Sequence, residues 1–153
     1  MHEQFMQEAL REARLSGRDV PVGAVLVRND EIIARAHNER ETGDFPFAHA
    51  EMLCMQRACE KLHTRRLKDC TLYVTLEPCP MCAGAIMHAR IPRIVCGAAD
   101  PVAGAMGSVW ALHRHPVENC HVRVEFGCME NECRAVLQDF FRRRRVEEES
   151  AGK

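Results

Sequence analysis

The segment that determines the fold is TLYVTLEPCPMCAGAIMHARIPRIVC, residues 71–96. Its first six residues are β-branched, aromatic or aliphatic, and they predict a buried strand that the prolines at 78 and 80 end. Residues 81–89 predict a helix, and the apolar run at 91–96 predicts a second buried strand that Gly97 ends. Alternation of strand and helix argues for an α/β sheet with helices on its faces.

The flanking sequence extends this pattern in both directions. Upstream it predicts a helix at 3–15, a hairpin of strands at 22–27 and 31–36, and a helix at 49–62. Downstream it predicts a loop at 98–108, a helical turn at 109–112, a strand at 122–126 and a helix at 131–145. The fold class is therefore a three-layer α/β/α sandwich around a five-stranded mixed sheet. We expect residues 1–145 to form a single domain and residues 146–153 to be an acidic, disordered tail.

Composition limits the possible environments and partners. The chain has 153 residues, of which 46% are hydrophobic, and a net charge of −1. Such a chain can bury a core without disulfides, and any nucleic-acid surface on it must be a local patch. The first residues lack a signal-peptide layout, and no apolar run is long enough to span a bilayer. With nine cysteines, mostly in apolar segments, we expect a soluble cytoplasmic protein with buried thiols.

Two short motifs carry the candidate chemistry. His49 and Glu51 open one predicted helix, and Cys79 and Cys82 open the next. The spacing of the cysteines places both sulfurs on one helix face, and a helix N-terminus stabilises thiolates. Two sulfurs and one imidazole nitrogen favour Zn²⁺, and three protein ligands leave a position for water, as in catalytic zinc sites. We predict one zinc per subunit.

Glu51 is the candidate proton carrier. Zinc lowers the pKa of a bound water from ~15.7 towards ~7, and the resulting hydroxide needs a general base within hydrogen-bond reach. Glu51 lies two residues beyond His49, where its carboxylate can face that water without binding the metal. A Cys-x-x-Cys pair alone is also typical of redox proteins, but a redox role leaves His49 and Glu51 without a function. The joint pattern is the signature of zinc-dependent deaminases.

Longer stretches resemble the bacterial tRNA-specific adenosine deaminases, which convert the wobble adenosine of an anticodon to inosine. The resemblance runs from about Val20 to Arg145 and includes PVGAVLV at 21–27, AHAE at 48–51, TLYVTLEPC at 71–79, MCAGA at 81–85, His115-Pro116 and DFFR at 139–142. It implies a cytidine deaminase-like fold, a homodimer, and a tRNA anticodon stem-loop as substrate. The chain departs from the family just before the AHAE motif at 48–51. The family usually has Asp-Pro-Thr there, whereas residues 44–47 of this chain read Asp-Phe-Pro-Phe and place Phe47 beside the pocket.

The resemblance also implies roles for residues around the metal. Asn38 is expected to hydrogen-bond the flipped base, with Val22 and the His49 ring on either side of it. The backbone around Ala50 would face the same base. Asp100, in the loop that follows the predicted strand at 91–96, is expected to contact the ribose of the target nucleotide.

The C-terminal helix offers further candidate RNA contacts. The four arginines at 142–145 suit a solvated helix C-terminus, but Arg142 and Arg144 could equally bind phosphates. Of the two preceding phenylalanines, one fits the core, and the other, Phe141, could stack on a base. His115 is a candidate RNA contact or a plain surface residue. Cys120, Cys128 and Cys133 could suggest a second metal site, but their irregular spacing favours buried thiols.

Two other functions fit the same motifs. A deaminase of a free nucleobase or nucleotide, of the guanine or cytosine type, would use an identical metal site. A non-catalytic zinc scaffold is the second alternative, and an intact Glu51 beside a three-ligand site argues against it. The predicted function is hydrolytic deamination of the wobble adenosine by a zinc-bound hydroxide, with Glu51 as the proton shuttle.

Overall fold

Five strands and four α-helices follow one another in the predicted order within residues 1–115 and 121–152, which the computed structural model describes. Their bounds are α1 His2–Ala13, β1 Gly23–Arg28, β2 Glu31–His37, α2 Ala50–Leu62, β3 Thr71–Leu76, α3 Pro80–His88, β4 Arg93–Ala98, β5 Arg123–Glu125 and α4 Glu130–Ala151.

The strands form one mixed sheet in the order β2-β1-β3-β4-β5. β1 pairs antiparallel with β2 and with β3, whereas β4 runs parallel to both β3 and β5. Because β3 and β4 are parallel neighbours joined through α3, the segments that follow them, beginning at Glu77 and at Ala99, leave the same edge of the sheet. The predicted five-stranded mixed sheet is confirmed.

Two core clusters cover the two faces of this sheet. One includes buried residues of α2 and α3 together with Leu72 and Ile94, and the other includes buried residues of α1 and α4 together with Tyr73 and Val95. Two glycines allow the second layer to approach closely. A Cβ atom at Gly23 would lie 1.9 Å from the Ala9 carbonyl oxygen of α1, and one at Gly97 would lie 2.3 Å from the Cys133 sulfur of α4. The chain is therefore the predicted three-layer sandwich.

Three details of the structure differ from the sequence prediction or complete it. The helical turn expected at 109–112 is a 3₁₀ turn at Leu112–Arg114. Residues 146–151, which belong to the expected disordered tail, continue α4 in the structure, because they are mostly good helix formers and no proline or glycine interrupts the helix before Gly152. Pro116 and Cys120 lie outside the described residues. None of the helices in the described ranges has the length and apolarity needed to cross a membrane.

Candidate active site

The site lies where α2 and α3 begin. His49 and Cys79 are the N-cap residues of these two helices, and neither side chain makes a capping hydrogen bond. Cys82 lies one turn into α3, which starts with Pro80 at a position that proline favours. Both helices therefore direct their N-termini, with their free N–H groups and partial positive charge, at one point.

The three predicted ligands converge closely enough to share one ion. The Nδ1 atom of His49 lies 3.6 Å from the Cys79 sulfur and 3.5 Å from the Cys82 sulfur. Tetrahedral zinc, with bonds of ~2.0 Å to nitrogen and ~2.3 Å to sulfur, separates such ligand atoms by about 3.5 Å. Within the part of the chain that the structure describes, this is the one group of three or more His, Cys, Asp or Glu side chains arranged to hold a metal.

The electrostatics of the cluster favour one thiolate even without a metal. A hydrogen bond with Cys82 is the main cause that lowers the pKa of Cys79 to about 4. The same hydrogen bond raises the pKa of Cys82 far above its ordinary value, with burial as the next cause. A hydrogen bond with Cys79 raises the pKa of His49. Because metal ligands must be deprotonated, one sulfur is ready to bind and the other must release a proton.

Glu51 is buried beside this cluster, with 4% of its surface exposed. Burial raises its pKa to about 7, and the hydrogen bond with its own backbone N–H and the charge of His49 partly offset this effect. A carboxyl group with a pKa near neutrality can both accept and donate a proton at physiological pH. The environment of Glu51 therefore suits the shuttle role that its position in the sequence suggested.

Asn38 links the predicted base pocket together. It follows β2 directly and is buried, and its Oδ1 atom accepts a hydrogen bond from the Ala50 N–H at 2.8 Å. Its Nδ2 atom donates to the Val20 carbonyl at 2.9 Å, and its own N–H donates to the Val22 carbonyl at 3.1 Å. Val22 and Ala50, predicted to flank or face the base, are thus tied to Asn38. An amide has two lone pairs and two N–H groups, so contact with a base remains possible.

Asp100 lies in the segment that follows β4, and its Oδ1 atom accepts hydrogen bonds from the N–H groups of Val102 and Ala103. This side chain therefore shapes its own turn, a role that the sequence did not reveal. Its backbone N–H donates to Glu77, a buried carboxylate two residues before Cys79. Sequence reasoning missed Glu77, although a charged residue between a buried strand and a Pro-Cys motif was a visible signal.

The candidate RNA contacts of α4 lie on the surface. Phe140 is in the core, whereas Phe141 is 47% exposed, which agrees with the expectation that only one of them packs inside. Arg142 hydrogen-bonds Asp139, and Arg144 forms an ion pair of 3.2 Å with Glu41 in the loop that precedes α2. That ion pair connects α4 to the same loop as Phe47.

The remaining residues singled out in the sequence are His115, Phe47 and the cysteines at 128 and 133. His115 is exposed and follows the 3₁₀ turn directly, so it remains a candidate contact. Phe47 is 53% exposed, and its ring makes an edge contact with the Phe45 ring at 5.2 Å between centroids. Cys133 is buried and Cys128 half-buried, and both are free thiols.

Comparison with known proteins identifies the relatives of this chain. A family model described as MafB19-like deaminase matches residues 1–145. The tRNA-specific adenosine deaminase of Bacillus subtilis (strain 168) is 48% identical over 153 residues, covering 99% of this chain and 95% of the relative. The enzyme of the same description from Aquifex aeolicus (strain VF5) is 42% identical over 145 residues, covering 94% and 95%.

Two solved structures resemble this chain, and they differ in the activity for which they are named. A structure from work on A-to-I editing by tRNA:A34 deaminases at the wobble position of transfer RNA is 43% identical, with a TM-score of 0.84, and covers 88% of this chain and 99% of that one. A guanine deaminase from Bacillus subtilis is 40% identical, with a TM-score of 0.63, and covers 65% of each chain.

Proposed function

The chain belongs to the MafB19-like deaminases and, within them, to the tRNA-specific adenosine deaminases, and on that premise we propose how its residues deaminate the wobble adenosine of a tRNA anticodon. The reaction replaces the amino group on C6 of adenine by oxygen and releases inosine and ammonia. The observation that carries the proposal is the convergence of one imidazole and two sulfurs, at 3.5 and 3.6 Å, beside a buried carboxyl group.

His49, Cys79 and Cys82 would hold Zn²⁺, one ion per subunit. A zinc ion bound there would supply hydroxide at neutral pH by lowering the pKa of water. Glu51 would accept a proton from the attacking water and deliver it to N1 of the adenine ring. The same carboxyl group would then take the proton of the hydroxyl formed on C6 and give it to the departing amine, which leaves as ammonia. Burial of Glu51 keeps competing water away from these transfers, which strengthens each electrostatic contact in the site.

The substrate pocket would be formed by the segments that Asn38 joins. The Asn38 amide hydrogen-bonds the flipped base, Val22 and the His49 ring contact its two faces, and the Ala50 backbone meets its edge. Asp100 contacts the ribose of the same nucleotide. A base in an anticodon loop costs less to extrude than a base in a duplex, so a loop substrate suits a site that needs an extruded base.

The RNA outside the pocket would lie towards α4. Phe141, Arg142 and Arg144 present an exposed ring and two cations, and His115 adds a polar side chain elsewhere on the surface. Exposed ion pairs such as Arg144–Glu41 contribute little to stability. A phosphate can therefore replace the carboxylate partner at small cost.

Discrimination between substrates tests the function directly. The zinc-loaded protein is incubated with an anticodon stem-loop that carries a wobble adenosine, with the same stem-loop carrying guanosine at that position, and with free guanine and free cytidine. We expect ammonia and inosine from the first alone. Ammonia from free guanine, the activity named for the 40%-identical structure, would replace this proposal by a free-base deaminase. No ammonia from any of the four would favour a zinc scaffold.

The active unit would be a homodimer. Phe45 and Phe47 are each about half exposed, and they border an apolar groove of about 420 Å³ along α2 and α3 that also includes Met52, Leu53 and Met55. A second copy of the chain would cover this surface. Sedimentation should give a dimer for the native protein and a monomer for Met52→Glu, whereas Lys61→Glu, an exposed position farther along α2, should stay dimeric. A native monomer at micromolar concentration would contradict this.

We place the protein in the cytoplasm, where its tRNA substrate is found. The cysteines within the described ranges are all free thiols, as a reducing compartment maintains them.

A further inference from the structure

Glu77 is a buried carboxylate outside the proposed chemistry. It follows the last residue of β3, precedes Pro78 and Cys79, and is 2% exposed. Its Oε1 atom accepts hydrogen bonds from the Asp100 N–H at 3.1 Å and from the Ser108 hydroxyl. Its Oε2 atom accepts from the N–H groups of Met106 at 3.0 Å and Ser108 at 3.1 Å. Four donors from one segment of chain thus meet on a single carboxylate.

The backbone around Glu77 holds the same segment, residues 98–110, which we call the substrate loop. The Glu77 N–H donates to the Ala98 carbonyl, and the Ala105 N–H donates to the Pro78 carbonyl, both at 2.9 Å. Gly104 lies against the carboxylate, since a Cβ atom there would be 2.4 Å from Cδ of Glu77. Residues 77 and 78 therefore hold the substrate loop near its start and again near its middle.

The chemistry of these contacts requires a carboxylate. An ionised carboxyl group accepts about four hydrogen bonds and donates none. Its four donors here are three backbone N–H groups, which cannot accept a hydrogen bond, and one hydroxyl, which can. Glutamine would turn one oxygen into an NH₂ group that faces N–H donors. Whichever oxygen becomes NH₂, at least one backbone N–H group of the loop would lose its acceptor and face another donor.

We propose that Glu77 is a positioning residue, which fixes the substrate loop, and with it Asp100, relative to the metal ligand Cys79 without touching the substrate. The inference rests on the proposed function because it assigns Asp100 to the substrate. Only Pro78 separates Glu77 from Cys79, so this short segment sets the distance between the metal ligand and the loop. Displacement of the loop would leave the metal ligands in place and move the ribose contact.

The test is a double-mutant cycle on the zinc-loaded enzyme with the anticodon stem-loop. Glu77→Gln should keep the native zinc content and raise KM by about tenfold or more, since it leaves buried N–H groups without acceptors, with a smaller effect on kcat. Asp100→Asn should reduce kcat/KM in the native background but have little further effect in the Glu77→Gln background, because coupled residues are not additive.

Milder variants keep the test informative if Glu77→Gln does not fold. Ser108→Ala removes a hydroxyl donor while keeping the backbone contacts, and it should raise KM in the same direction by a smaller factor. Val109→Ala, in the same loop but with no hydrogen bond to Glu77, is the matched control and should leave KM unchanged.

Two results would overturn the proposal. One is a native KM in Glu77→Gln or, where that variant does not fold, in Ser108→Ala. The other is an equal effect of Asp100→Asn in both backgrounds, which would reduce Glu77 to a purely structural residue. An inactive native enzyme would instead refute the proposed function.

Discussion

Replacing Glu51 by glutamine separates proton transfer from every other property of the site. Glutamine has nearly the same shape, so the buried pocket that holds 96% of the Glu51 surface stays filled. A positioned general acid–base contributes ~10²–10⁴-fold to a rate, and we expect the upper part of this range because bulk water cannot reach the position to substitute for the carboxyl group. The kcat for the anticodon stem-loop should therefore fall by roughly 10³–10⁴-fold.

The same substitution has an expected effect on stability, with a defined dependence on pH. Burial raises the pKa of Glu51 to about 7 from an ordinary 4.5. A difference of about 2.5 between the folded and unfolded pKa values destabilises the metal-free native protein by on the order of 3 kcal/mol once the group is ionised in both states. The penalty is absent below pH 4.5, grows as pH rises and is complete above about pH 7. Metal-free Glu51→Gln should thus be more stable than the native protein at pH 8 and equal to it near pH 4.5.

Three measurements check these expectations together. Single-turnover kinetics give the rate of the chemical step, elemental analysis gives the zinc content, and urea unfolding of metal-free protein at pH 5, 6.5 and 8 gives the stability. Loss of zinc from Glu51→Gln would contradict the shuttle role, because Glu51 would then be a ligand. A loss of less than tenfold in the chemical step would equally exclude the shuttle role.

Three further predictions concern the rest of the site. Cys82→Ala should reduce bound zinc from about one ion per chain to near zero, since a two-ligand site holds zinc poorly, and a retained ion would contradict the ligand assignment. Replacing both Arg142 and Arg144 by alanine should make the salt dependence of stem-loop binding shallower. The negative slope of log binding constant against log salt concentration should shrink in magnitude by about 0.7 per lost phosphate contact, and Arg11→Ala is the control that should leave it unchanged. An unaltered slope would remove α4 from the RNA surface. Asn38→Ala should lower the urea-derived free energy of unfolding by about 1–3 kcal/mol, because it leaves a buried N–H and a carbonyl unpaired, and a stability within roughly 0.5 kcal/mol of native would refute that role.

Most of the fold followed from local sequence because each strand and helix carries its own signal. The run at 71–76 is β3 to the residue, and the predicted helix at 49–62 differs from α2 by one residue at its start. The structure differed from the expectation where the local sequence suits two conformations. The acidic residues at 147–149 suit a solvated tail and also a helix, because glutamate is a good helix former, and in the structure they continue α4.

The metal site was predictable because its residues are close together in two motifs and their chemistry is distinctive. His49, Cys79 and Cys82 lie together in the structure as the spacing suggested. Glu77 stood out as a charged residue beside a buried strand, but its partners and the structural hydrogen bonds of Asn38 were not predictable, because each contact joins segments far apart along the chain. The partners of Glu77 lie 23 to 31 residues away, and only the folded structure shows that one carboxylate meets four donors.

The N-caps of α2 and α3 show how the fold accommodates its site. Serine, threonine, asparagine or aspartate at an N-cap would stabilise a helix by about 1 kcal/mol relative to a residue that does not cap. Here His49 and Cys79 occupy both N-caps without making a capping hydrogen bond, and their side chains turn towards each other instead. Sequences violate local preferences mainly at functional positions. Two poor caps that face one another across 3.6 Å, with a buried glutamate beside them, are unfavourable for helix stability alone and favourable for a metal ligated by thiolate and imidazole.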